Sequence, residues 1–154
     1  MAARGNADAE CRLASAYYLG QGVPEDYAQA AAWYRRAAVQ GDADAEVSLG
    51  VLYELGQGVP QDYGQAAAWY RKAAAKGVAG AEWALGHLYD HGQGVPQDYT
   101  RAYMWLILAR ASGRPGGAVY QHATATMSRM MRQMTPAQVT AAQASAARWQ
   151  RAHE

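Results

Sequence analysis

The sequence predicts an all-α protein, a superhelical solenoid of three helix-turn-helix repeats closed by a C-terminal pair of helices. Three observations predict it. A 36-residue unit recurs without gaps, apolar residues inside each unit keep helical spacing, and after residue 112 the repeat frame is lost while helical spacing continues. Residues 5–40 and 41–76 are identical at 24 of 36 aligned positions, and residues 77–112 match the second unit at 20 of 36. The landmarks recur in all three: Gly20, Gly56 and Gly92; Pro24, Pro60 and Pro96; Asp26, Asp62 and Asp98; Trp33, Trp69 and Trp105. The chain divides accordingly into residues 1–4 at the end of a possible preceding unit, repeats at 5–40, 41–76 and 77–112, and capping helices over 113–154.

Each unit reads as two helices. The first opens after a capping residue, Asn6 or Asp42, and puts Ala9, Leu13 and Tyr17 on one core-facing side, with Ala45, Leu49, Tyr53 and Ala81, Leu85, Tyr89 as counterparts. Gly20 and its equivalents sit where a left-handed C-terminal cap belongs, and the Gln-Gly-Val-Pro that follows cannot continue a helix. Asp26 and Asp62 then supply N-cap oxygens with Gln29 and Gln65 three residues on, a D-x-x-Q form of the capping box, and the second helix runs to a glycine at 41 or 77. Arg101 takes the glutamine position in the third unit, which predicts a weaker cap there.

Helix pairs this short cannot bury their own apolar faces, so they stack on one another. The pattern A-E-x-x-L-G-x-L-Y-x-x-G-x-G-V-P-x-D-Y-x-x-A-x-x-W-Y-x-x-A-A over Ala45 to Ala74 resembles the Sel-one-like repeat, a relative of the tetratricopeptide repeat, and the resemblance covers 5–112. It implies a right-handed α/α superhelix with a concave groove, and an adaptor or scaffold for protein complexes, as found in bacteria and in the endoplasmic reticulum. It also implies two further readings: an immunity-type inhibitor of one effector protein, and, as in a cysteine-rich branch with one disulfide per repeat, a small-molecule or cell-wall-fragment binder or hydrolase. Cys11 is the only cysteine of this chain, so the paired cysteines of that branch are missing.

The third unit ends differently. Tyr34 and Tyr70 become Leu106, Arg35 and Arg71 become Ile107, and Arg36 and Lys72 become Leu108, so a cover is expected over an apolar outer face. Tyr120, Met127, Met130, Met131 and Met134 keep helical spacing beyond the Gly-Arg-Pro-Gly-Gly at 113–117 and supply it. Thr135-Pro136-Ala137-Gln138 then reads as N-cap, N1 proline and N3 glutamine of a last helix reaching about Arg151.

With 154 residues the chain is long enough to bury a core without metal or disulfide staples, and a lone cysteine excludes an intrachain disulfide. No stretch approaches a membrane span, and the first residues lack the apolar core of a signal peptide, so the expected location is cytoplasmic. Met1 to Arg4 align with 37–40, the tail of a second helix, so the chain reads either as a piece of a longer array or as a short protein that starts at its first repeat. A truncated N-terminus would instead allow a periplasmic or secreted location. Residues 1–98 carry a net charge of −5 and residues 99–154 a net +6, which leaves the stated +1. Arg129, Arg132, Arg148 and Arg151 spread over two helices without interleaved aromatics, which reads as a solvated face and predicts no nucleic-acid partner. The opposite poles fit a monomer or weak head-to-tail association.

Candidate binding residues come from comparing the copies, since a position free to vary among them is not dictated by stacking. The side of each first helix opposite the core carries Asp8, Cys11, Ser15 and Tyr18, then Asp44, Val47, Val51 and Glu54, then Gly80, Trp83, His87 and Asp90, with Leu55 and His91 flanking. Tyr18, Asp44, Val47, Val51, Glu54, Trp83, His87, Asp90 and His91 are therefore the predicted partner groove, apolar at its centre, acidic at its edge and suited to a protein or peptide with basic residues. The competing reading is that Val47, Val51 and Trp83 pack in ordinary contacts between neighbouring first helices. His87 and His91 have the i, i+4 spacing of a metal pair, but His-Leu-Tyr-Asp-His lacks the glutamate base of a zinc hydrolase and no third ligand is evident, so neither metal nor cofactor is expected. No nucleophile–base pair, Walker loop, G-x-S-x-G or C-x-x-C occurs, and the chain is predicted not to be an enzyme.

Overall fold

The computed structural model describes residues 2–154, with side chains from Asn6 onward. Among them it forms eight helices and no strand: α1 Ala2–Leu19, α2 Tyr27–Val39, α3 Ala43–Leu55, α4 Tyr63–Ala74, α5 Ala79–His91, α6 Tyr99–Ser112, α7 Ala118–Met131 and α8 Pro136–Ala152. The three repeats are the pairs α1–α2, α3–α4 and α5–α6, followed by α7 and α8, which each pack on α6 and not on one another as the predicted hairpin would. Two compact units result, residues 1–72 and 73–154, with the boundary inside α4.

One local arrangement shapes every repeat. Gly56 and Gly92 end their helices at φ +66° and +65°, a left-handed conformation in which glycine meets no Cβ penalty. The chain turns through Gln-Gly-Val-Pro, and the amides of Asp26, Asp62 and Asp98 donate to the carbonyls of Tyr17, Tyr53 and Tyr89 at 2.9, 2.9 and 3.0 Å. Each aspartate side chain then accepts the amide three residues ahead, Gln29, Gln65 or Arg101, at 3.0 Å. This corrects two expectations. The aspartate amide is already satisfied by the tyrosine carbonyl, so the glutamine side chain has no orphan donor to reach and no reciprocal box is needed. For the same reason Arg101 does not weaken the third cap; it adds its own side-chain contact to Asp98 at 3.5 Å.

The predicted cap at Asn6 is a further correction, because α1 already begins at Ala2 and passes through Asn6. Alanine-rich sequence on both sides favours continuing the helix over capping it. Residues 2–4, aligned with the tail of a preceding unit, are helical and continuous with α1, and Met1 lies outside the described residues. Asp42 does cap α3, accepting from the Ala45 amide at 2.8 Å. The box opening α8 is complete: Thr135 accepts from the Gln138 amide, and the Gln138 side chain accepts from the Thr135 amide.

Small residues let the paired helices approach closely. In repeat 2 a Cβ built on Gly50 would lie 2.6 Å from the Tyr70 ring, and in repeat 3 one on Gly86 would lie 3.0 Å from Leu106. Ala45, Leu49, Ala81 and Leu85 are fully buried and Tyr89 is buried, as predicted for the core side, whereas Tyr53 is only half-buried. Repeat 1 departs from that pattern: Ala9 is exposed, Leu13 and Tyr17 are half-buried, and Ala7, Glu10 and Ala14 take the buried positions. The reason is a missing neighbour, since α3 packs on α2 as well as on its own partner, whereas α1 has α2 as its principal neighbour.

The second helices show how the array is closed. Trp33 and Trp69 are half-buried, with Arg36 and Lys72 standing over their rings at 4.7 and 4.4 Å. At the matching place in repeat 3 the cation is Leu108, and Trp149 of α8 meets Trp105 edge-on at 4.8 Å. Helix α6 packs against both α7 and α8, burying Trp105 and Leu108. Leu106 is buried too, but not as part of an outward face: Tyr34 and Tyr70 are themselves buried, and Leu106 lies inward against Gly86. Met127, Met130 and Met134 are buried as the cover, while Met131 is 54% exposed.

A buried carboxylate recurs at one position of each repeat, Glu10, Glu46 and Glu82. In repeat 1 it is satisfied by Arg36 at 2.8 Å and by the Gln40 amide at 2.6 Å.

Three substitutions test this account. Gly22 and Gly58 hold φ of +77° and +71°, but a Cβ on Gly22 meets nothing within 4 Å whereas one on Gly58 would fall 2.0 Å from the Tyr27 carbonyl oxygen. Gly22→Ala is expected to cost about 1 kcal/mol in urea unfolding, and Gly58→Ala substantially more; equal losses would refute the close approach. Trp149→Ala removes the edge-on partner of Trp105 and is expected to cost about 2–4 kcal/mol, read by thermal melting.

Candidate functional site

The predicted groove falls on both units, and each part has its own surroundings. In the first unit α1 and α3 present Tyr18, Val47 and Val51, all half-buried, which line one small cleft of about 140 Å³ together with Tyr34, Ser48 and Leu52. Hydroxyl groups fix its walls. Tyr18 donates to Gln57 at 3.3 Å and its ring lies 5.3 Å from that of Tyr27, while the hydroxyls of Tyr34 and Ser15 are 2.9 Å apart. Asp44 is exposed near the start of α3, and Leu55 is exposed at its end. Glu54 is half-buried and accepts from the Tyr70 hydroxyl at 2.7 Å. Burial, and then the Glu54 carboxylate, push the Tyr70 hydroxyl well above the ordinary tyrosine range, so it stays a donor.

Cys11 is a half-buried free thiol on the same side of α1. Burial, followed by the negative charges of Asp42, Asp44 and Asp8, pushes its pKa up to about 12. A thiol held protonated this firmly is a poor nucleophile.

In the second unit Trp83, His87 and His91 form a column along α5, their ring centroids 5.9 and 4.2 Å apart. The column is not an open groove wall. Trp83 and His87 are half-buried, His122 of α7 lies 6.1 Å from the Trp83 ring, and α7 packs on α5. Asp90 requires the larger correction: it is buried and ion-paired with Arg129 of α7, so it is a structural link between α5 and α7 and not a groove residue. Sequence distance hid this, because Arg129 lies 39 residues further on. His91 is exposed, with Nδ1 3.0 Å from the His87 carbonyl oxygen, so that nitrogen is engaged with backbone. The two imidazoles lie tilted against each other, and among the described residues no group of three histidine, cysteine, aspartate or glutamate side chains is placed to hold a metal ion. The chain also has no helix, among the described residues, long and apolar enough to cross a membrane.

One feature lay outside the predicted groove. A cleft of about 700 Å³ runs along α2, with Ala28, Ala31, Ala32, Val39 and Val59 as its apolar lining and Arg35 and Arg36 beside them. The sequence signal was Val39, which is 72% exposed and stands where repeat 2 has Ala75.

A family model of the Sel1 repeat matches residues 7–42, 43–78 and 79–113, more than half of the chain. Among solved structures, the chain is similar to a Sel1 repeat protein from Oxalobacter formigenes, with a TM-score of 0.72 and 34% identity over 79% of this chain and 48% of that one. It is also similar to a protective antigen of uropathogenic Escherichia coli that displays an SLR fold, with a TM-score of 0.70 and 40% identity over 71% of this chain and 24% of that one. The chain thus spans less than half the length of either. No match is found among curated proteins. Three family matches in tandem, each on one of the helix pairs described above, place the chain in the Sel1 repeat family.

Proposed function

We propose that the protein is a non-catalytic interaction scaffold, and that the cleft between α1 and α3 takes one apolar side chain of a protein or peptide partner. The Sel1-repeat fold generally serves protein–protein interaction. The observation that carries the finer reading is the convergence of Tyr18, Val47 and Val51 on one cleft. These positions differ among the copies, so stacking alone does not dictate them. A cleft of this size suits a single anchor, the usual centre of a binding hot spot. Exposed Asp44 gives the rim an acidic edge that favours a partner with basic residues beside its anchor. Of the predicted groove residues on α5, Trp83, His87 and His91 are a secondary surface, narrowed by α7.

The scaffold reading is tested by affinity capture from a lysate of the source organism, with wild type and with Val51→Asp and Asp44→Lys variants whose helical circular dichroism is intact. A partner held by wild type is expected to be lost by Val51→Asp and weakened by Asp44→Lys. A partner indifferent to both would remove the α1–α3 cleft as the site. The non-catalytic reading of Cys11 has its own check. At pH 8 its alkylation by iodoacetamide in the native protein is expected to be slower by at least tenfold than in the urea-unfolded chain, and to accelerate only as pH approaches about 12. Fast alkylation at neutral pH would show an activated thiol.

A further inference from the structure

Glu10, Glu46 and Glu82 occupy the same repeat position and are 4%, 2% and 2% exposed. In repeat 1 a cation answers the carboxylate: Arg36 pairs with Glu10 at 2.8 Å while its guanidinium lies over the Trp33 ring, and Gln40 donates to the other oxygen at 2.6 Å. Repeat 3 has Leu108 and Ser112 at those two positions, so its own second helix brings no cation. Ser112 makes a side-chain hydrogen bond with Glu82, but Glu82 Oε2, like Glu46 Oε2 in repeat 2, is buried without a hydrogen-bond partner. An unmatched carboxylate oxygen in such a place costs free energy that a charged donor would recover.

The same carboxylate lines a cleft of about 430 Å³ in the second unit. The cleft is walled by the turn after α4 with Lys76, the end of α6 with Leu108 and Ser112, and the end of α8 with Trp149 and His153. An aromatic ring and a buried carboxylate are the elements that Arg36 finds on Trp33 and Glu10; here Trp149 and Glu82 line one cleft, with His153 stacked on the Trp149 ring at 3.9 Å and Lys76 in its wall. A guanidinium suits them better than an ammonium, since its plane stacks on an indole and its fork engages a carboxylate.

We propose that this cleft binds an arginine side chain of a partner protein, whose guanidinium takes on Glu82 the place that Arg36 takes on Glu10. The site shares no residue with the α1–α3 cleft and stands independently of it. Desolvation raises the Glu82 pKa above the ordinary glutamate value, which agrees with a carboxylate lacking its counter-charge. Lys76, His153 and Glu154 are the other titratable groups of the cleft.

Calorimetric titration of the full chain with N-acetyl-arginine amide tests the assignment, with the citrulline analogue, which keeps the shape and drops the charge, as the control. Wild type is expected to bind the arginine compound at least tenfold more tightly than the citrulline one. Glu82→Gln, nearly isosteric, is expected to lose at least tenfold in affinity while keeping the wild-type circular dichroism. Ser112→Lys, at an exposed position, brings an ammonium to where repeat 2 has Lys76; it is expected to fill the site from within, abolish binding and raise the melting temperature. The proposal is overturned by absence of binding to wild type, by equal binding of the citrulline compound, or by binding that survives Ser112→Lys. Free L-arginine binding more tightly than its capped form would overturn the assignment to a partner side chain in favour of a metabolite.

Discussion

The hydrogen bond from the Asp26 amide to the Tyr17 carbonyl, repeated from Asp62 to Tyr53 and from Asp98 to Tyr89, is the constraint on which the rest of each repeat depends. It ties the start of the second helix to the end of the first and so fixes the angle at which the chain re-enters the repeat. With that angle set, the left-handed glycine, the turn and the aspartate cap cooperate, each satisfying backbone groups the others leave open. The helices then meet through alanine and glycine, and Tyr34 and Tyr70 can lie flat in the interface because the facing residue has little or no side chain. Leu106 uses the same space in repeat 3, without a hydroxyl to anchor.

What varies among the copies is as informative as what recurs. The tyrosine hydroxyl reaches Ser15 in repeat 1 and Glu54 in repeat 2, so one buried ring is held by two different side chains of the variable face. That face therefore does two jobs, bracing the inner tyrosine and shaping the surface cleft. The second helices carry a similar exchange. A tryptophan covered by Arg36 or Lys72 in the first two copies is covered by Trp149 in the third, which turns a solvent-facing cation–π pair into an aromatic contact inside the cap.

Most of the fold was legible because its determinants are local and written three times: the glycine caps, the aspartate caps and the tryptophan at a fixed offset. Thr135 and Gln138 were equally clear, since a capping box depends on residues three apart. The errors share a different cause. Asp90 was misread because its partner Arg129 belongs to another helix, and the exposure of Ala9 because burial on that face depends on a neighbouring helix that α3 has and α1 lacks. The extra glutamine bond failed because a backbone carbonyl had already taken the donor. The Glu82 cleft left a trace that copy-to-copy comparison could have found: a glutamate kept three times while the residues answering it change to Leu108 and Ser112.

The closure of α6 by α7 and α8 has a consequence for how such a chain can lengthen. A second helix with charge on its outer side, as α2 has with Arg36 over Trp33, is one that a further first helix, α3, follows. Helix α6 has exchanged that surface for leucine and an edge-on tryptophan contact, and no longer matches the first helix of a further copy. Duplication of the α1–α2 unit would repeat the contact between α2 and α3 present within residues 1–72, whereas insertion after residue 112 would expose the apolar side chains of α6 that α7 and α8 cover. The outer side of α6 is thus covered by α7 and α8, where that of α2 meets a following first helix.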